Sequence, residues 1–258
     1  MSAVTADSLG SWLFLAGSAF TAGAVNAVAG GGTLLTFPAL LAILSPVNAN
    51  ATSTMALLPA SLAAGLGYRE ELRRSRSRLL YLWPPSLLGG VVGSLLLIRL
   101  PEKIFAGLVP WLLIGASTLL LLQRPLVRWL ISHPNRPPGR PMLAAVIVFQ
   151  FLVGVYGGYF GAGIGILMLS SLVFAGVKDI HESNALKNIL AATMNGVTAV
   201  IFAAAGVVVW KYAAWMAASA TLGGYVGARI GRRVRPEWVR AFVVCVGFAV
   251  AVYSWLRA

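Results

Sequence analysis

Two glycine clusters interrupt long apolar stretches of this chain and are its strongest candidates for chemistry. The clusters and the residues that follow them are Gly30, Gly31, Gly32 and Thr33, and Gly161, Ala162, Gly163 and Ile164. A short apolar helix is predicted to begin near Thr33 and another near Ile164. The first N–H groups of a helix have no intrahelical acceptor and carry partial positive charge. Such a helix end inside a membrane can bind an anion.

Polar residues are rare in the apolar runs, so each one is a candidate contact for a polar ligand. They lie beside the first glycine cluster or at the beginning of later segments: Asn26, Asn50, Thr52, Ser53, Asn184, Lys187 and Asn188. Lys187 either faces an anion pathway or extends its amine to the membrane surface. The glycines have an alternative explanation too, because small residues allow helices to pack closely.

No set of residues with the chemistry of an enzyme accompanies them. All seven Asp and Glu lie outside the apolar runs, and His133 and His181 are in predicted loops. No His, Cys and carboxylate residues have the spacing of metal ligands. The single cysteine, Cys245, excludes an intrachain disulfide. We therefore expect no catalytic residue, no metal and no cofactor, and a membrane enzyme is a weak alternative.

The elements that must position these residues are membrane helices. Of 258 residues, 59% are hydrophobic and 10% are charged, whereas roughly a quarter are charged in soluble domains. Residues 8–68 contain no Asp, Glu, Lys or Arg. The net charge of +13 comes from Lys and Arg between apolar runs, as the positive-inside bias predicts, so we expect no nucleic-acid partner. The composition predicts an all-α polytopic membrane protein in contact with the lipid bilayer.

Motifs recur in order along the chain, which predicts that its halves are copies of one unit. Gly23, Gly30 and Gly32 recur as Gly154, Gly161 and Gly163, and the motif at 88–93 recurs at 222–227. The predicted repeats are 1–124 and 141–258, joined by a cytoplasmic linker at 125–140. Each has a glycine-broken segment and three helices: 11–44, 50–68, 80–98 and 104–123 in the first, and 141–176, 183–206, 212–228 and 239–256 in the second.

Two topologies fit this duplication. The repeats are parallel if the broken segment crosses the membrane, and inverted if it is a re-entrant hairpin that leaves three crossings per repeat. Inversion puts fifteen loop Lys and Arg on one face and four on the other, against eleven and eight for the parallel arrangement. The charge bias therefore favours inverted repeats with both termini outside. One difficulty is that residues 11–28 are longer than half a bilayer, so part of them must tilt or lie at the interface.

The segment Ala22–Pro38, AGAVNAVAGGGTLLTFP, and the following Ala51–Ser53 resemble the sulfite exporter TauE/SafE family. Gly157–Gly165 and Asn184–Asn188 are similar to the same family, and the resemblance covers essentially the whole chain. It implies a permease of the bacterial inner membrane for small anions. These are typically sulfur-containing anions such as sulfite, thiosulfate or organosulfonates, and some members are linked to other organic acids.

Together these features predict a secondary transporter with a central anion site between two repeats that rock against each other. The backbone N–H groups after Gly32 and Gly163 are the expected ligands of the oxyanion. Because no ATP-binding motif is present, energy would come from an ion gradient, the substrate's own gradient or a partner. An anion channel, a transporter of another organic anion such as a carboxylate, and a non-transporting scaffold are the alternatives.

Overall fold

Helices form the whole regular structure of the part of the chain that the computed structural model describes. That part comprises residues 8–28, 31–66, 75–132, 140–177, 179–230 and 236–256. It contains ten helices and no strand. They are α1 (Leu9–Val28), α2 (Thr33–Leu41), α3 (Pro46–Leu66), α4 (Arg76–Arg99), α5 (Glu102–Ser132), α6 (Arg140–Tyr159), α7 (Ile164–Phe174), α8 (Ile180–Ala204), α9 (Trp210–Ile230) and α10 (Pro236–Trp255).

Five of the described helices are long and apolar enough to cross a membrane. These spans are Arg76–Arg99, Glu102–Gln123, Pro141–Tyr159, Glu182–Ala204 and Trp238–Trp255. Large apolar side chains also lie on the outside of the molecule, where a bilayer would cover them, among them Leu88, Val148 and Leu152. The prediction of an all-α, multi-pass membrane protein is confirmed.

Both glycine-broken segments fold back on themselves. A β-carbon on Gly32 would stand 2.7 Å from the carbonyl oxygen of Ala22, ten residues earlier. In a straight helix those residues would be about 15 Å apart. Each hairpin has a long arm of 20 residues and a short arm of 9 or 11 residues. Because 20 helical residues span about 30 Å, the long arms are long enough to cross the membrane and the short arms are not.

The helices of the two halves begin at matching positions. α1 and α2 begin at residues 9 and 33, and their counterparts α6 and α7 begin at 140 and 164. The shift from 9 to 140 is the same as the shift from Gly23 to Gly154. α3, α4 and α5 begin at 46, 76 and 102, and α8, α9 and α10 begin at 180, 210 and 236. The shift between the beginnings of these two sets of helices is the same as the shift from Leu88 to Leu222. Helices and sequence motifs therefore recur together.

Close glycine contacts join each half to the other. α1 packs along α9, where a β-carbon on Gly223 would stand 1.9 Å from the Phe20 carbonyl oxygen and one on Gly227 would stand 2.5 Å from Ala24 Cα. The equivalent helices α6 and α4 pack in the same way, with Gly93 against Val155. Residue numbers rise together along both pairs, so the paired helices are parallel. The glycines with small-xxx-small spacing therefore serve helix packing.

The equivalent helices α5 and α10 pack against each other in opposite directions. The Trp111 and Trp255 rings are 5.9 Å apart, and a β-carbon on Gly247 would stand 2.1 Å from Ser117 Oγ. As residue numbers rise along α5 they fall along α10, so these two helices are antiparallel. α4 and α8, by contrast, run parallel, because Arg78 contacts Glu182 and Gly90 lies against Met194.

One helix is longer than its apolar run. α5 continues to Ser132, so residues 125–132, which we assigned to the linker, are helical. Pro125 removes one backbone hydrogen bond, but the apolar residues after it keep the composition of a helix. Arg140, the last residue of the predicted linker, begins α6, and residues 133–139 lie outside the described residues.

Candidate functional site

The tip of the second hairpin is held by two hydrogen bonds from its own long arm. The Gly161 N–H donates to the Tyr156 carbonyl at 3.1 Å, and the Tyr156 hydroxyl donates to the Ala162 carbonyl at 2.6 Å. Gly161 and Gly163 have φ of 78° and 73°, a left-handed conformation that other residues rarely adopt. Two glycines and one tyrosine therefore fix how the chain enters α7.

The first turn of α7 leaves several backbone donors unused. Ile166 N–H donates to the Gly163 carbonyl, and Ile164 N–H makes a long bond of 3.4 Å to Gly161. The N–H groups of Ala162, Gly163 and Gly165 have no acceptor among the described residues. Three donors at the positive end of one helix dipole can bind a negative charge.

Lys187 of α8 lies beside this turn. Its Cδ is 3.6 Å from the place where a β-carbon of Gly165 would stand. Its amine donates to Asn184 Oδ1 at 3.1 Å, three residues earlier, and both side chains are half-buried. Asn188, the next residue, is half-buried as well. The stem of Lys187 thus runs along the start of α7, while its amine points back toward the beginning of α8.

In the first hairpin, a side chain of the long arm caps an N–H group at the tip. Asn26 Oδ1 accepts the Gly32 N–H at 2.9 Å. The N–H groups of Leu34 and Leu35 donate to the carbonyls of Gly31 and Gly32. Of the tip residues that the structure describes, Gly31 and Thr33 alone keep N–H groups without an acceptor there. Gly30 lies outside the described residues.

The polar residues of α3 connect the two hairpins. Asn50 Nδ2 donates to the Tyr159 carbonyl at the tip of the second hairpin, at 3.0 Å. Ser53 Oγ shares a 2.7 Å hydrogen bond with Thr36 in the short arm of the first. Thr52 Oγ1 accepts the Val209 N–H at 3.0 Å. These three candidates are buried, and each holds two segments of the protein together.

Both glycine breaks lie against adjacent turns of α5. A β-carbon on Gly163 would stand 3.3 Å from the Ala116 carbonyl oxygen, and one on Gly31 would stand 3.1 Å from Leu120 Cδ2. Ala116 is about one turn from the middle of the apolar span Glu102–Gln123. The second break is therefore close to the centre of a membrane span.

Most of the candidate residues thus fall into two groups, and Gly31, Thr33 and Asn188 belong to neither. The structure brings together Gly161, Ala162, Gly163, Ile164, Asn184 and Lys187 around the start of α7. It places Asn26, Gly32, Asn50, Thr52 and Ser53 in hydrogen bonds between segments. Tyr156 and Gly165 were not among the predicted residues, although a tyrosine in a glycine-rich stretch was a usable signal. Within the described residues, no group of three His, Cys, Asp or Glu could hold a metal ion.

Comparison with known proteins identifies the family. The family model described as "Sulfite exporter TauE/SafE" matches residues 15–254. A "Probable membrane transporter protein ORF9" of Sinorhizobium sp is 30% identical over 243 residues, covering 93% of this chain and 90% of the relative. A "Probable membrane transporter protein" of Haemophilus influenzae is 28% identical over 233 residues, covering 89% and 88%. The "Probable membrane transporter protein YfcA" of Escherichia coli K12 is 27% identical over 229 residues, covering 88% and 83%. The chain belongs to the sulfite exporter TauE/SafE family of membrane transporters.

Proposed function

We propose that this protein is a secondary transporter of small anions, in particular sulfur oxyanions such as sulfite, in the bacterial inner membrane. The anion binds at the start of α7 and crosses by alternating access. The family name supports the substrate class, and the unused donors at the second hairpin support an anion as ligand. Export is the direction that the family name favours.

The observation that carries this proposal is the position of Lys187 beside Gly165. The Lys187 stem lies against the turn that carries three unused N–H groups, and its cation, once turned toward them, would neutralise an oxyanion where water is scarce. Among the described residues no carboxylate pairs with Lys187, whose amine donates to Asn184. Asn184 accepts from the amine in the free protein and would orient it when the anion is bound.

We further infer that the halves are inverted repeats with both termini outside. Matching helix positions and exchanged helix contacts support a two-fold relationship between them. A two-fold axis that exchanges antiparallel helices lies at right angles to them, and α5 and α10 are equivalent and antiparallel. Such an axis lies in the membrane plane, as in transporters built from inverted repeats.

The proposal is tested by thermal unfolding of purified protein in detergent with sulfite, thiosulfate, sulfate, taurine, sulfoacetate or lactate. A ligand that binds the folded state alone raises the melting temperature by mass action. We expect a sulfur oxyanion to stabilise the wild type, and Lys187→Met to abolish that shift. Lys103→Met is the matched control, because Lys103 is exposed at the beginning of α5.

A second pair of variants probes the first turn of α7, with its unused N–H groups, without removing a charge. A β-carbon on Gly165 meets Lys187 Cδ at an ordinary contact distance, so Gly165→Ala is compatible with folding but narrows the site. Gly196→Ala places its methyl group in open space on α8 and is the control. Equal ligand shifts in both variants would contradict binding at α7, and stabilisation by lactate alone would reassign the substrate to carboxylates.

A further inference from the structure

The carboxylate of Glu182 is held by two groups from another part of the chain. Ser75 Oγ donates to Glu182 Oε1 at 2.6 Å, and the Arg78 guanidinium forms an ion pair with the same oxygen. Ser75 immediately precedes α4, and Glu182 lies in the first turn of α8. The side chains of Arg78 and Glu182 are 36% and 20% exposed, so solutes can reach the pair, whereas Ser75 is buried behind Glu182 until that carboxylate moves.

The groups around this carboxylate are those that bind oxyanions in general. A guanidinium offers several donors that suit carboxylates and other oxyanions, and a hydroxyl adds a further donor. The beginnings of α4 and α8 add the positive ends of two helix dipoles. Glu182 therefore occupies a position where a free oxyanion would be stabilised by the same contacts.

This position lies at the same end of α8 as Lys187. α4 and α8 begin on the same side of the protein, and Lys187 is five residues beyond Glu182 on α8. That separation is about 7.5 Å along the helix axis. In the orientation proposed above, the beginnings of α4 and α8 face the cytoplasm, so an anion from the cytoplasm reaches Arg78 before it reaches Lys187.

We propose that Ser75 and Arg78 form an outer binding station for the transported oxyanion, which Glu182 occupies as a tethered competitor. The incoming anion takes the donors of Ser75 and Arg78, and the Glu182 side chain turns to solvent. When the anion moves inward, Glu182 returns and closes the station behind it. The identity of the anion rests on the proposed function, whereas the competition rests on the contacts of Glu182.

Holding the two helices together does not by itself require charge at this place. In the other half of the chain, the positions equivalent to Ser75, Arg78 and Glu182 are Val209, Tyr212 and Asn48. There the Val209 N–H donates to Thr52, and Tyr212 is buried against Trp12. The corresponding helix ends α9 and α3 are joined by neutral groups, so the ionised pair is particular to the α4–α8 end.

The test compares Glu182→Gln, the double variant Glu182→Gln with Arg78→Gln, and the wild type. Binding of sulfite and of thiosulfate is measured by titration calorimetry in detergent at constant ionic strength. Removal of the competing charge should tighten binding by about fivefold, the upper range for an exposed ion pair. The double variant should lose that gain. Arg76→Gln, an exposed arginine two residues away, should leave the affinity of the Glu182→Gln variant unchanged.

Each outcome separates this proposal from the site at Lys187. Unchanged affinity in Glu182→Gln, or a gain that survives in the double variant, overturns the outer station even when the wild type binds sulfite. A third outcome is that the wild type shows no measurable binding, Glu182→Gln binds, and the added Arg78→Gln abolishes that binding. This outcome supports the outer station and contradicts the inner site. If neither the wild type nor any variant binds sulfite or thiosulfate, the outer station and the site at Lys187 are both overturned.

Discussion

Asn26 Oδ1 accepts the N–H of Gly32 at 2.9 Å, so the long arm of the first hairpin caps the beginning of its own short arm. The equivalent position in the second hairpin is Gly157, which has no side chain to do so. The space beside Gly157 is filled by Ile164 and Met194 instead. The first hairpin therefore caps one tip N–H with a side chain and keeps two without an acceptor among the described residues, whereas the second caps none this way and keeps three.

Replacing Asn26 with alanine should destabilise the protein without changing how it binds anions. The Gly32 N–H would lose its acceptor, a loss of about 1 kcal/mol in the free energy of unfolding. Asn195→Ala is the control, because Asn195 is a half-buried amide with no hydrogen bond to the described residues. Thermal unfolding with and without sulfite measures both effects. A large loss of the sulfite-induced shift in Asn26→Ala would place binding at the first hairpin.

The α1–α9 contact should tolerate no added methyl group. Gly223→Ala forces a β-carbon into the Phe20 carbonyl, and because both partners are backbone the helices must separate. We expect a loss of about 3 kcal/mol in unfolding free energy. Gly115→Ala on α5 adds a methyl group in open space and should stabilise its helix by up to about 1 kcal/mol. Reversible unfolding in mixed micelles measures the difference, and equal stabilities would contradict the packing described.

The sequence predicted what depends on local composition. The two clusters with glycines at 30–32 and at 161 and 163 interrupt the apolar stretches, so the beginnings of α2 and α7 at Thr33 and Ile164 were predictable, whereas the paired glycines of α4 and α9 stay inside helices. The contact of Lys187 with Gly165 and the bond from Asn50 to Tyr159 were not, because they depend on how hairpins fold back and on which helices meet. Residues far apart in the sequence, such as Ser75 and Glu182, are brought together by tertiary packing alone.

Equivalent positions in the two halves should face opposite sides of the membrane. Ser77 in α4 and Lys211 in α9 are exposed, lie in the first turns of their helices and occupy equivalent positions of the two repeats. In a chain whose exposed Cys245 is replaced by serine, a cysteine at 77 should react with an impermeant thiol reagent from the cytoplasmic side. A cysteine at 211 should react from the outside. Labelling of both from one side in oriented vesicles would establish parallel repeats instead.

Two neighbouring tyrosines at the second hairpin should respond oppositely to loss of their hydroxyl groups. The Tyr156 hydroxyl donates to the Ala162 carbonyl, whereas the Tyr159 hydroxyl is buried without a partner among the described residues. Tyr156→Phe should cost about 1 kcal/mol of stability, because it frees the peptide that joins Ala162 to Gly163. Tyr159→Phe removes an unsatisfied polar group and should leave stability unchanged or raise it.

The same two variants also show whether the Tyr156 hydroxyl matters for anion binding as well as for stability. The Ala162 carbonyl and the Gly163 N–H belong to one peptide group, and the Gly163 N–H is one of the three unused donors. Without the Tyr156 hydroxyl this peptide group can rotate, so the Gly163 N–H no longer has a fixed direction. We therefore expect Tyr156→Phe to weaken sulfite binding by about tenfold and Tyr159→Phe to leave it unchanged. Titration calorimetry at a temperature where both variants are folded measures the affinities. Equal affinities in the two variants would show that the tip of the second hairpin does not donate to the anion.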